Sequence, residues 1–194
     1  VMRMPFENLS LLDYSINSSL VISNIALQKQ DKAGIITFSH KVHSILPADR
    51  RNTQLQKILE LLYSQKTGYL ESDYERLYMN VKAKINQRSL LLLFTNFETL
   101  AGMQRQIKHL KRLAKDHLLV VIFFENTELS AFLKTPAKTT EEVYNKIIAE
   151  KFIFEKKTIV KELEKCGIQT LLTAPGNLSV NTINKYLELK SRGL

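Results

Sequence analysis

The chain has 194 residues, of which 44% are apolar and 24% charged, and it carries a formal net charge of +9. That length suits one domain able to bury a core, while the longest apolar runs, Leu90–Phe94 and Leu118–Phe124, are far too short to cross a membrane. The single cysteine, Cys166, excludes an internal disulfide and suits a reducing compartment.

The charge could favour acidic partners, anionic lipid or nucleic acid. The lysines and arginines are spread along the chain, however, so solvated faces are its default reading. Val1-Met-Arg-Met-Pro-Phe lacks the apolar stretch of a secretory signal. Opening without an initiator methionine, the chain reads as a piece of a longer protein.

Ser10-Leu-Leu-Asp13 predicts a capping box, and Leu12, Ile16 and Leu20 then mark one buried helical face. After the turn Gln30-Asp31-Lys32, the apolar Gly34–Phe38 reads as a strand covered on both sides. His40-Lys41 turns the chain into Val42–Leu46, a short antiparallel edge strand ended by Pro47. Leu55, Ile58, Leu59, Leu62 and Tyr63 carry helical spacing, and Lys66-Thr67-Gly68 breaks it. Ser72-Asp-Tyr-Glu75 predicts a second capping box, opening a helix with Tyr74, Leu77, Tyr78, Val81 and Ile85 on one face.

Leu90–Thr95 is the next strand, followed by a helix carrying Leu100, Met103, Ile107, Leu110 and Ala114. Leu118–Phe124 reads as another buried strand. The stretch Glu125–Lys138 looks irregular, with Pro136 excluding a continuous helix. Thr139-Thr-Glu-Glu142 caps a long helix towards Cys166 and its stop at Gly167; Ile168–Thr173 is the last strand and Ser179–Ser191 the last helix. This alternation predicts a single α/β domain over residues 1–194, with a doubly wound, mostly parallel sheet and one short antiparallel edge strand.

In such folds ligands bind beyond the carboxyl ends of the strands. The six glycines are dispersed, so neither a dinucleotide-binding turn nor a Walker phosphate loop can be built. His40 and His43 are expected on opposite faces of an extended segment, and His109 and His117 at the surface. No serine sits in a nucleophile elbow, and Cys166 ends a helix far from the strand tops, so a conventional hydrolase is poorly supported.

Arg105, Lys108, Arg112 and Lys115 form one basic helical stripe, a candidate surface for an acidic partner or phosphates, with a solvated helix face as the alternative. No aromatics interleave it for base stacking, which argues against specific nucleic-acid recognition. The oxygen-bearing segments Glu71-Ser72-Asp73 and Thr95-Asn96-Phe-Glu98 suit a hard cation such as Mg²⁺ or Mn²⁺. Ser72 as a helix cap and Asn96 as a turn residue are the structural alternatives.

Met2-Arg-Met-Pro-Phe-Glu7, Leu12-Asp-Tyr-Ser-Ile-Asn17, Asp31-Lys-Ala-Gly34 with Thr37-Phe38, Glu71-Ser-Asp-Tyr74, and Arg88-Ser-Leu with Leu93-Phe-Thr-Asn96 together resemble a known pattern. It belongs to the von Willebrand factor A-like domain of the bacterial family called domain of unknown function fifty-eight, whose genes commonly accompany MoxR-type AAA+ ATPases. The resemblance implies a Rossmann-like domain with a metal-ion-dependent adhesion site built from three strand-top loops.

By this resemblance the first loop and the central strand before it lie ahead of Val1. Glu71-Ser72-Asp73 corresponds to the second loop and Thr95-Asn96 to the third. Ser72, Asp73, Thr95 and Asn96 are thus the implied Mg²⁺ or Mn²⁺ ligands, in a degenerate set where Asn96 stands for a common aspartate. Without that strand, three outcomes are expected: the remaining strands close up, they exchange between copies as a homo-oligomer, or the strand belongs to residues upstream of the chain. The implied role is a non-enzymatic interaction domain whose protein partner is an AAA+ ATPase; the alternative is a metal-dependent adhesion module for an acidic ligand. The implied location is cytoplasmic, with the full-length protein membrane-tethered through segments upstream.

Overall fold

The computed structural model describes residues 2–65, 71–137 and 139–193, so the expected break at Lys66-Thr67-Gly68 lies outside the described residues. Near the start, Pro5–Phe6 (β1) and Leu9–Ser10 (β2) pair only with each other, across a turn in which Glu7 and Asn8 take φ of 46° and 68°. Two consecutive left-handed residues are what a two-residue hairpin loop requires.

The expected capping box opens α1 (Leu11–Gln28): Asp13 N–H donates to Ser10 Oγ and Ser10 N–H to Asp13 Oδ2. Its most buried face is not Leu12, Ile16 and Leu20, which are half-buried, but Leu11, Ser15, Ser18, Ser19, Ile22 and Ser23. Small side chains let neighbouring elements approach the helix closely, and Ser15 returns its hydroxyl to the Leu11 carbonyl at 2.8 Å.

After Gln30, at φ 62°, the chain enters β3 (Ala33–Phe38), which pairs antiparallel with β4 (Val42–Asp49). The β4 strand runs past Pro47 instead of ending there. The register skips between Ala33↔Asp49 and Ile35↔Leu46, so Pro47 sits in a bulge where its missing N–H costs no ladder bond. Gly34 faces that bulge, and a Cβ there would stand 2.7 Å from Ala48 N and 2.8 Å from the Leu46 carbonyl oxygen. Helix α2 (Gln54–Tyr63) buries Ile58 and Leu62 but leaves Leu59 and Tyr63 exposed. Gln54 completes its inner face, donating from Nε2 to the carbonyls of Ala33 and Pro47, each at 2.8 Å.

The second half comprises α3 (Tyr74–Lys84), β5 (Leu90–Phe94), α4 (Leu100–Asp116), β6 (Leu118–Phe124), α5 (Thr127–Lys134), α6 (Thr140–Lys165), β7 (Gln169–Thr173) and α7 (Leu178–Ser191). The expected irregular stretch contains α5, capped by Asn126 accepting from Leu129 N–H at 3.0 Å; Pro136 separates it from α6. Strands β5, β6 and β7 form a parallel sheet with β6 in the middle, in register from Leu90↔Leu118 and Val120↔Gln169.

Alternation along β6 divides the core. Leu119, Val121 and Phe123 join Leu77, Val81, Met103, Leu110, Ile159 and Leu163 on the face of α3, α4 and α6. Val120, Ile122 and Phe124 join Leu11, Leu178 and Leu189 on the face of α1 and α7.

The expected single, mostly parallel sheet is therefore interrupted. Strand β3 is laddered only to β4 and β5 only to β6, and no strand among the described residues joins the two groups. Both line one cavity of about 1690 Å³, bordered by Ser15, Ser19 and Ile22 of α1 and by Leu77 and Val81 of α3. The strands do not close up. The carboxyl ends of β3 and β5 are nevertheless drawn together through Tyr74, whose ring packs edge-on to Phe38 and whose hydroxyl lies 2.5 Å from Thr95 Oγ1. No helix among the described residues is long and apolar enough to cross a membrane.

Candidate functional site

The strand tops meet around Tyr74. Just after β3, the Ser39 N–H donates to the Lys41 carbonyl at 2.8 Å, closing a tight turn. That turn overrides the alternation expected of an extended segment. His40 and His43 converge instead of pointing apart, with ring centroids 5.8 Å apart. Both reach Ser39 Oγ, at 3.1 Å from His40 Nδ1 and 2.7 Å from His43 Nε2. A serine and an imidazole at this spacing suit a nucleophile and its base, but His43 is exposed and its other nitrogen has no carboxylate bonded to it among the described residues.

The Ser39 carbonyl accepts the Asp73 N–H at 2.8 Å, tying the first strand top to the start of α3. Asp73, not Ser72, is the cap of that helix. Its backbone is extended, its Oδ1 accepts from Arg76 N–H at 2.9 Å, and its Oδ2 lies 3.1 Å from Arg76 Nε. The aspartate offers a charged acceptor to the free N–H groups, which a serine one residue earlier cannot match. Tyr74 follows, buried between Phe38 and the stacked ring of Phe97. Burial pushes its hydroxyl up to about 12, opposed by the bond to Thr95, so it stays protonated.

Beyond Thr95, Asn96 is buried, and its Oδ1 accepts a hydrogen bond from Lys156 Nζ on α6. The Lys156 ammonium also faces the Phe123 ring, 5.7 Å from its centroid. Burial lowers its pKa to about 8, and the Glu98 charge opposes that fall.

Ser72, Thr95 and Asn96 share the large cavity, and Ser72 also lines a smaller recess with Asp73, His40, Glu75, Lys108 and His109. Arg105 and Lys108 of the basic stripe border that recess. Arg105, Lys108, Arg112 and Lys115 are all exposed, with Arg105 3.9 Å from Glu71 and Arg112 stacked 5.6 Å from the Tyr78 ring centroid.

His109 and His117 are buried rather than at the surface. Leu110 and Leu113 turn the adjoining side of α4 into the core and carry His109 with them; burial first, then Lys108, lowers its pKa. His117 ends that helix beneath the sheet, where its Nδ1 accepts from Ser89 N–H at 3.3 Å.

The implied divalent ion fits these donors poorly. Asp73 is turned to the helix end and Arg76, the Thr95 hydroxyl is held by Tyr74, and the Asn96 oxygen is taken by an ammonium. Among the described residues no group of three or more histidine, cysteine or carboxylate side chains could hold a metal. Sequence reading missed Ser39, Tyr74 and Lys156 as site residues. Tyr74 was legible only as a core position, and Lys156 looked like any helical lysine. Compared with known proteins, the chain matches no family model, no curated protein and no solved structure.

Proposed function

We propose that the chain is a non-enzymatic protein–protein interaction domain of the von Willebrand factor A-like type that it resembles, working with a MoxR-type AAA+ ATPase in the assembly or maturation of other proteins. The observation that carries the interaction reading is the stretch of α6 from Val143 to Phe154. Val143, Tyr144, Ile147, Ile148, Phe152 and Phe154 are exposed there, Phe154 by 69%. Their spacing lays two adjoining apolar rows along one side of the helix. Six exposed apolar side chains on one stretch of helix are costly in water and mark a contact site for another protein. The basic stripe of Arg105, Lys108, Arg112 and Lys115 supplies a second, polar surface for an acidic partner.

The fold reading is supported by the gap between β3 and β5. In the resembling domain the central first strand stands between the strands that correspond to these two. A cavity of about 1690 Å³ exceeds the roughly 300–1,000 Å³ of small-molecule pockets and suits a polypeptide strand. Open strand edges on both sides would supply its ladder partners.

The interaction reading is tested with the purified protein and a MoxR-type ATPase from the same organism. Wild type is expected to bind the ATPase, and Ile147→Glu with Phe152→Glu to weaken binding at least about tenfold, a loss of about 1.4 kcal/mol. Circular dichroism checks that the double variant is folded. No binding by wild type, or unchanged affinity in the folded double variant, overturns the reading.

A further inference from the structure

We infer that the Lys156 ammonium is a built-in cation of the Thr95–Asn96 strand top and stands in place of a divalent metal ion there. Two side chains at this spot fit each other. A carboxylate after Thr95 would call for a strongly charged cation, whereas the neutral Asn96 offers one amide oxygen, enough for a hydrogen bond from an ammonium. Lys156 supplies that donor from α6, an element on the opposite side of Asn96 in sequence from the other site segments.

A half-buried ammonium must be compensated. Lys156 has three sources of compensation: the Asn96 oxygen, the face of Phe123 at 5.7 Å, and the negative charge of Glu98. A divalent ion drawn to the same oxygen would have to displace the lysine and would meet its positive charge at close range. The neighbouring donors are already committed, Thr95 to Tyr74 and Asp73 to the first turn of α3.

The lysine has a structural consequence as well. It ties α6 to the loop that follows β5, so the loop is ordered by the chain itself and needs no ion. The inference is independent of the partner reading, because it concerns only what holds this loop.

Manganese binding followed by electron paramagnetic resonance, together with thermal unfolding, tests it on the wild-type chain, Asn96→Ala, Asn96→Asp and one double variant. The wild-type chain is expected to bind no Mn²⁺ in an Asn96-dependent way, and its Tm to be unchanged by Mn²⁺. Asn96→Asp gives Lys156 a carboxylate partner and is expected to raise Tm by roughly 2–4 °C without metal. In the double variant Asn96→Asp with Lys156→Met that gain disappears without metal, and Mn²⁺ binding is acquired. Wild-type binding of Mn²⁺ that Asn96→Ala abolishes overturns the inference, as does a Tm gain in Asn96→Asp that requires Mn²⁺. The wild-type and single-variant arms decide the matter even where the double variant does not fold.

Discussion

Strands β6 and β3 are built from similar apolar residues but occupy very different surroundings. Along β6, Leu119 to Phe124 are at most 2% exposed; the strand has a ladder on each edge and helices on each face. In β3 only Ala33 is buried, and Ile35 to Phe38 stay half-buried beside the open cavity. Strand β5 is intermediate, paired to β6 on one side and facing that cavity on the other. An apolar strand thus reaches full burial only when both its neighbours are in place.

The largest test of this contrast removes side chains from each strand. Phe123→Ala in β6 is expected to cost about 3–5 kcal/mol, whereas Leu92→Ala in β5, in a half-open site, falls below the roughly 2–5 kcal/mol of a closed core. Urea unfolding of both variants measures the difference. Equal losses would mean that the cavity is closed in solution.

A smaller effect probes how β3 is held. Gly34→Val is expected to destabilise by about 1–3 kcal/mol, because its side chain has to displace the β4 backbone at the bulge. The same unfolding assay reads this loss, and native-state hydrogen exchange should show the β3–β4 amides losing protection while β6 keeps its own.

The smallest effect lies at the foot of β3. Asp31 accepts from Lys190 Nζ at 2.5 Å and from the Tyr186 hydroxyl, joining the turn before β3 to α7. Burial pushes its carboxyl up, but those two bonds and the charges of Lys190 and Lys29 outweigh it and hold it below 3.8. A depressed carboxylate contributes stability that is fully present above its unfolded value and is lost as pH falls through the folded one. With both partners more than a third exposed, the pair is worth about 0.2–1 kcal/mol. Lys190→Met is therefore expected to remove that increment at pH 7 and to have progressively less effect as pH falls below 3.8 and on through the lowered folded value. Unfolding free energies measured across that range check it.

Much of the fold was legible because local rules and tertiary packing agree. Leu118–Phe124 is a strand with the expected limits, and Ser10 and Asp13 form the expected cap. Where they compete, packing or charge decided. Asp73 displaced Ser72 as a cap because it is the stronger acceptor and has Arg76 beside it. Asn126 caps α5 by a local rule, and Pro136 only separates that helix from α6. The candidate site was legible only as isolated strand-top segments. Its decisive contact joins Asn96 to Lys156, 60 positions apart, and no helical or strand period connects such residues.

The sequence by itself determined the order of helices and strands, their caps, and the apolar faces that make an α/β core, since these follow from neighbours a few residues apart. Only the tertiary structure decided which strand edges stay open, which histidines are buried, and which cation meets Asn96. Those outcomes depend on hydrogen bonds, desolvation and charge between segments that meet only once the chain has folded.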